Sequence, residues 1–193
     1  MYVRDARNRD EAWLLEHIEQ LGLDETAFRS RDYVIAMDEA DNAKAGFGRI
    51  RVHKTDEGEI CELTSIGVLE KWRDQGVGAH VIERLVQTAG DEGFDVVYSL
   101  TGEPEYLSQF GFDRIEPAQL PEKLRDRLEE KQEGLEPDAV PMRIEPDRFY
   151  MPQRLREAFK GAEAEDAEPE PEEGPEDFGI DPDKATYKYD TGR

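Results

Sequence analysis

One stretch constrains this chain more than any other: Ile60-Cys-Glu-Leu-Thr-Ser-Ile-Gly-Val68, followed by Leu-Glu-Lys-Trp-Arg73-Asp-Gln-Gly76-Val-Gly78-Ala79-His80. The half-alternating apolar run reads as a buried strand that stops at a charged turn. A glycine-rich corner then opens a helix on which Val81, Ile82, Leu85, Val86 and Ala89 share one face of a 3.6-residue period. Strand, glycine turn and helix together expose unpaired backbone N–H groups at a helix N-terminus, an arrangement able to hold a phosphate. Gly76 and Gly78 carry no Cβ to block an approaching anion, and both tolerate positive φ.

The remaining elements follow from periodicity and turn chemistry. Met1–Arg4 is extended, and Trp13, Leu14, Ile18 and Leu21 form one face of a helix over 8–21 closed by Gly22. Strands are predicted at 32–37 and 46–53, with Thr55-Asp-Glu-Gly58 turning the chain into the central strand as an antiparallel meander. Phe94–Leu100 is a further strand, and the helix between it and the central strand makes the pair parallel. A short helix at 104–110, a strand beginning at 111–115, a helix opened by Pro117 through Leu120, Leu124 and Leu128, a strand at 139–144 and a helix at 152–159 complete the domain.

At 193 residues the chain has room for a sizeable core, and the reading is one domain over 1–160 with appendages. The segment 161–178 carries acidic side chains and no basic ones, and is expected to stay a solvated, disordered linker. The end, 179–193, regains aromatic residues and reads either as an unstructured end or as a peptide that docks on the domain or a protein partner. The formal charge of −22 extends well beyond that linker, which suggests a halophilic surface, adapted to salt that screens self-repulsion. Such a surface argues against nucleic acid as the main partner. No run reaches a membrane span, the N-terminus lacks a secretory apolar segment, and the single cysteine, Cys61, fits a reducing cytoplasm. His17, His53 and His80 show no metal-ligand spacing, so no metal site is expected. Oligomeric state is not legible here.

Arg73-Asp-Gln-Gly76-Val-Gly78 resembles the Gln/Arg-x-x-Gly-x-Gly/Ala signature of GNAT N-acetyltransferases. Leu100-Thr-Gly-Glu-Pro-Glu-Tyr-Leu-Ser-Gln-Phe-Gly-Phe112, the later Leu120-Pro121-Glu-Lys123, and Glu62-Leu-Thr-Ser-Ile-Gly-Val68 are similar to the N-acetylglutamate synthase-like branch. The resemblance covers roughly residues 59–125. It implies the GNAT fold: an α/β (α+β) domain whose mixed, mostly antiparallel sheet has a splayed parallel central pair flanked by helices. It also implies acetyl-CoA as co-substrate, with direct attack of a primary amine within a ternary complex. The acceptor it implies is a small molecule, an amino acid such as glutamate. A protein N-terminus or lysine, or a non-catalytic acyl-CoA-binding module, are the alternatives.

By the same resemblance the central strand bulges near Ser65–Val68, and main-chain N–H groups of Ile66, Gly67 or Val68 meet the acetyl oxygen. Arg73, Asp74, Gln75, Gly76, Val77, Gly78 and Ala79 then surround the pyrophosphate. Glu62 is either the general base or a strand glutamate paired with an arginine. Many GNATs place a tyrosine four residues before the glycine of Gly111-Phe112; here that place holds Leu107, and Tyr106 stands one earlier. A one-residue shift turns a helical side chain by about 100°. Tyr106 is thus expected to pack inward, and as a candidate acid it shares that role with water or another group. Cys61 reads as an inert buried thiol. Alternation puts Arg49, Arg51 and His53 on one face, either to bind an acceptor carboxylate or as solvent-facing charges. The branch's cysteine-rich segment is absent, replaced by Glu129–Asp138.

Overall fold

The protein is described here by a computed structural model that covers residues 1–164. The linker from residue 165 onward and the peptide 179–193 lie outside the described residues. The described chain forms β1 (Tyr2–Asp5), α1 (Glu11–Gln20), β2 (Tyr33–Met37), β3 (Lys44–Thr55), β4 (Gly58–Val68) and α2 (Val77–Asp91). It continues through β5 (Val97–Thr101), α3 (Pro104–Ser108), β6 (Asp113–Arg114), α4 (Glu122–Glu133), β7 (Val140–Ile144) and α5 (Gln153–Lys160).

Among the described residues one seven-stranded sheet runs β1-β2-β3-β4-β5-β7-β6. All neighbours are antiparallel except β4 and β5, as the intervening helix requires. Strand alternation sorts the core onto two faces. Val34, Ala36, Ile50, Cys61, Leu63, Val97 and Met142 meet α2 and α5 on one side. On the other, Tyr33, Ile35, Met37 and Phe47 meet Leu14 and Ile18 of α1, while Leu100 meets Leu124 and Leu128 of α4.

Several boundaries differ from the sequence reading for identifiable reasons. β5 begins at Val97 rather than at residue 94, because the chain leaves α2 through Gly93 at φ 89° and needs further residues to re-enter the sheet. The helix expected from Pro117 is broken: a 3₁₀ turn covers Pro117–Gln119, Leu120 and Pro121 are extended, and α4 starts at Glu122. Pro121 excludes its predecessor from the helical region, which accounts for the break.

The bulge expected near Ser65–Val68 is present. Phe47 pairs with Gly67 but Arg49 with Thr64, so Ser65 and Ile66 together oppose the single residue Gly48. Ser65 takes φ 52°, a left-handed value uncommon for a residue with a side chain. The Ile66 side chain lies over Gly48: a Cβ there would stand 2.5 Å from Ile66 Cδ1 and 2.6 Å from Val81 Cγ1. Gly48 is therefore a packing requirement of the bulge.

An ion-pair knot fixes the N-terminal edge. Asp10, 1% exposed, accepts two hydrogen bonds from Arg4 at 2.7 and 3.0 Å and one from the Arg7 amide at 2.8 Å, with Lys44 at 3.3 Å. The Arg4 hydrogen bonds outweigh burial and hold the Asp10 carboxyl well below its usual range.

Two outcomes test this account. Gly48→Val should lose about 2 kcal/mol in urea unfolding through overpacking, and an unchanged midpoint would contradict the bulge geometry. A carboxyl whose folded pKa is depressed stabilises the protein above its unfolded value near ~4 and loses that contribution as pH falls. Wild type should therefore lose stability progressively from about pH 5 downward, with Asp10→Asn starting about 3 kcal/mol lower at pH 7 and falling less steeply. Parallel curves for the two proteins would remove Asp10 from the account.

Candidate active site

The parallel pairing of β4 and β5 lasts only from Cys61↔Val97 to Leu63↔Ser99. The bulge then carries β4 away, and a cleft of about 610 Å³ opens between Ser65–Val68 and Leu100–Gly102. Ser99 Oγ donates to the Leu63 carbonyl at 3.1 Å and pins the apex. Ile66, Val68, Arg73, Gly78 and Tyr106, all marked in the sequence, line this cleft together with residues that were not: Leu23, Glu103, Lys131 and Glu136.

At the cleft's edge the turn preceding α2 contains two left-handed residues, Asp74 at φ 59° and Gly76 at φ 75°. Gly76 is the residue before the helix, and the first-turn amides that follow have no intrahelical acceptor. The glycines answer to the protein itself rather than to space for an anion. A Cβ on Gly76 would press on the Leu155 carbonyl of α5, and one on Gly78 would sit 2.9 Å from the Tyr106 hydroxyl. Gln75 points away from the cleft: its side chain donates to the Glu163 carbonyl at 2.8 Å and accepts from the Glu163 amide at 2.9 Å. Arg73 and Asp74 are exposed, whereas Val77 and Ala79 are buried.

Tyr106 corrects one expectation. It is Leu107 that packs in the core, at 4% exposure, while Tyr106 is 37% exposed with its hydroxyl over Gly78. Because α3 is so short, the single inward position goes to Leu107, and the turn of about 100° between neighbours carries Tyr106 toward the cleft. Burial of the ring's surroundings pushes its hydroxyl up to about 12. Cys61, on the α2 side of the sheet, is fully buried and likewise pushed up to about 12 by burial, so it is an inert thiol.

On the opposite face Glu62 is completely buried. It accepts from Arg127 Nε at 2.8 Å and Nη2 at 3.0 Å, and pairs with His53 Nε2 at 2.7 Å. Burial disfavours its charge, but His53 and Arg127 prevail and hold its carboxyl below the usual range. Of the two roles open from the sequence, pairing with an arginine is the geometry present. Arg127 also binds Asp24 at 2.9 Å. The loop after α1 is strapped down by Arg49, which donates to the Thr26 and Ala27 carbonyls at 2.9 and 2.8 Å, and by Ser65 Oγ to the Asp24 carbonyl at 2.7 Å.

Arg49, Arg51 and His53 do share a face, yet they are not solvent-facing charges: Arg49 and His53 are 1% and 5% exposed beneath that loop and α4. Among the described residues neither Arg49 nor Arg51 has an ion pair; Arg49 is met by the loop carbonyls, and Arg51 Nη1 is buried without a partner, as are Arg49 Nε, Tyr33 Oη and Thr64 Oγ1. Burial, then Arg127 and Arg49, lower the Arg51 pKa. Sequence reasoning missed Arg127, Asp24 and Lys131, because each reaches the site from a loop or helix distant in the chain and none sits in a motif. Among the described residues no His, Cys, Asp and Glu grouping could hold a metal, and no helix is long and apolar enough to cross a membrane.

Comparison with known proteins places this geometry. One similar solved structure is N-acetylglutamate synthase of Neisseria gonorrhoeae complexed with coenzyme A and N-acetyl-glutamate. It is 16% identical, with a TM-score of 0.61 over 74% of this chain and 34% of that one. Rv2747 of Mycobacterium tuberculosis, in complex with CoA and NLQ, is 17% identical, with a TM-score of 0.61 over 75% of this chain and 99% of its own. At such identities the likeness is one of fold. An uncharacterised N-acetyltransferase, CT2212, of Chlorobaculum tepidum is 29% identical over 66 residues, which are 34% of this chain and 43% of that protein. This chain therefore spans less than half the length of that curated relative. The profile of the Acetyltransferase (GNAT) family matches residues 2–112, more than half of the chain, and the chain belongs to that family.

Proposed function

We propose that the protein is an acetyl-CoA-dependent N-acetyltransferase whose acceptor is a small primary amine bearing a carboxylate, an amino acid such as glutamate. The observation that carries the reading is the cleft between β4 and β5, with a bulge on one wall and unpaired helix amides at its edge. Such a slot suits an extended thioester arm, and the first-turn amides of Val77, Gly78 and Ala79 suit its diphosphate. The acceptor nitrogen attacks the acyl carbon, the acyl oxygen gains negative charge, and collapse expels the CoA thiolate. Main-chain N–H groups of Ile66 or Val68 on the bulge stabilise that oxygen. Glu103, exposed at the cleft, takes the proton an ammonium acceptor must lose. Tyr106, with a hydroxyl at about 12 against ~8.5 for an ordinary thiol, hydrogen-bonds the departing sulfur rather than protonating it.

The carboxylate follows from charge balance. Of Arg49, Arg51 and Arg127 only Arg127 is ion-paired among the described residues, to Glu62 and Asp24, and Arg49 Nε and Arg51 Nη1 are each left as a buried, unpartnered N–H. A buried guanidinium favours a paired anion. Glu62 is assigned as a positioning residue that holds Arg127 and His53 in place.

Titration calorimetry should detect CoA binding, and a panel of free amino acids and peptides should give turnover with the former. Both are run with and without molar KCl, to which the acidic surface is proposed to be adapted. Arg51→Met should raise KM about tenfold or more for carboxylated amines and leave amines without a carboxylate unaffected. Turnover of peptides alone would move the acceptor to a protein amine, and CoA binding without any turnover would leave an acyl-CoA-binding module. Glu62→Gln should cost about 3 kcal/mol of stability, keep the pH–rate profile of the remaining folded enzyme, and leave CoA affinity within about twofold. An unchanged melting temperature together with loss of the profile's acidic limb would make Glu62 the base instead.

A further inference from the structure

Lys131 is a buried cation that the chemistry above does not use. It projects from the last turn of α4 with its side chain 9% exposed, and its Nζ donates to the Leu100 carbonyl at 3.1 Å. The reason that carbonyl needs a side chain lies in both neighbouring strands. On one side the Pro141 carbonyl of β7 accepts the Ile115 amide at 3.1 Å and so faces β6, which makes Leu100↔Pro141 a non-hydrogen-bonded pair and turns the Leu100 carbonyl away from β7 toward β4. On the other, the β4 ladder has already ended at Leu63↔Ser99. An ammonium carries three N–H donors, and Leu100 takes one. Glu136 Oε1, at 3.7 Å, offsets the charge but lies beyond hydrogen-bond distance, while its Oε2 accepts the Gly102 amide at 3.1 Å. Donors therefore remain on Lys131, in the wall of the cleft, at the depth where the strands part.

An extended amide-bearing arm laid between parted strands replaces the lost ladder, and it needs donors for its carbonyls. The β5 wall presents its carbonyl already covered and an ammonium in its place. We propose that Lys131 binds the acyl donor's pantetheine arm by donating to one of its amide carbonyl oxygens, and so sets how deep the thioester sits. This rests on the acetyl-CoA reading. Lys131 acts by holding the arm in place and takes no part in proton transfer.

The test compares CoA with adenosine 3′-phosphate 5′-diphosphate, which keeps every phosphate and lacks the arm. Lys131→Met should weaken CoA about tenfold, the scale of one charge-assisted hydrogen bond, and change the armless nucleotide less than about twofold. In the wild-type protein, which needs no variant to fold, CoA should protect Lys131 from reductive methylation and the armless nucleotide should not. Equal weakening of both ligands, unchanged CoA affinity, or absence of selective protection would overturn the assignment while leaving the donor site intact. Failure of both ligands to bind wild type would instead remove the acetyl-CoA reading, and this inference with it.

Discussion

The parting of β4 from β5 is the constraint on which the rest of the molecule depends. Two adjacent parallel strands that stop pairing leave backbone donors and acceptors without partners, each costing about 1–3 kcal/mol if buried and unmet. The chain meets that cost with side chains drawn from around the fold. Ser99 satisfies the Leu63 carbonyl at the apex, Lys131 the Leu100 carbonyl, and Glu136 the Gly102 amide. Ser65, whose left-handed backbone creates the divergence, turns its hydroxyl to the Asp24 carbonyl and draws the loop after α1 toward the opening. The gap is thus stable in its own right rather than a strand pairing waiting to close.

The charge distribution works in two opposed directions. The chain as a whole carries −22, which repels any phosphorylated ligand at low ionic strength. Beneath that surface, however, the buried or half-buried charges include Arg49, Arg51 and Arg127 on the sheet face that α4 covers, and Lys131 in the cleft wall, and only part of that charge is neutralised. Low-dielectric surroundings strengthen these cations while salt screens the exposed acids far more than the interior. Raising ionic strength should therefore reduce the long-range repulsion and keep the short-range attraction, which is the balance an anionic ligand needs on an acid-coated protein.

Much of the architecture was legible in the chain. The amphipathic face of α2 and the alternation along β2–β4 specify their layers directly, and β4–helix–β5 connectivity specifies the parallel pair. The bulge was expected by resemblance alone; its local cause, the Ile66 side chain over Gly48, joins two strands and has no signature in either. The break before α4 was readable from Pro121 and was missed because Leu120, Leu124 and Leu128 continue the apolar period across it. Tyr106 was misplaced because a rotation argument needs a fixed reference residue, and the core chose Leu107. The partners of Glu62 were beyond reach: Arg127 lies 65 residues away on a helix whose composition is that of an ordinary solvated surface.

That last pairing bears on where the chemistry can happen. A general base must offer a lone pair to the acceptor and hold a pKa near the working pH. Glu62 has neither property, since His53 and Arg127 occupy its oxygens, depress its pKa and close it from solvent. Releasing it would leave the buried Arg127 with Asp24 as its one remaining carboxylate among the described residues, a loss of stability against the modest gain of one proton transfer. The central-strand carboxylate is better understood as the anchor that α4 needs in order to cover this face of the sheet. With α4 anchored, Lys131 and Glu136 reach the cleft wall, and the open carboxylate of Glu103 stands at the cleft beside them. In the proposed mechanism the buried ion pair thereby supports the reacting centre, and proton transfer falls to groups in contact with water.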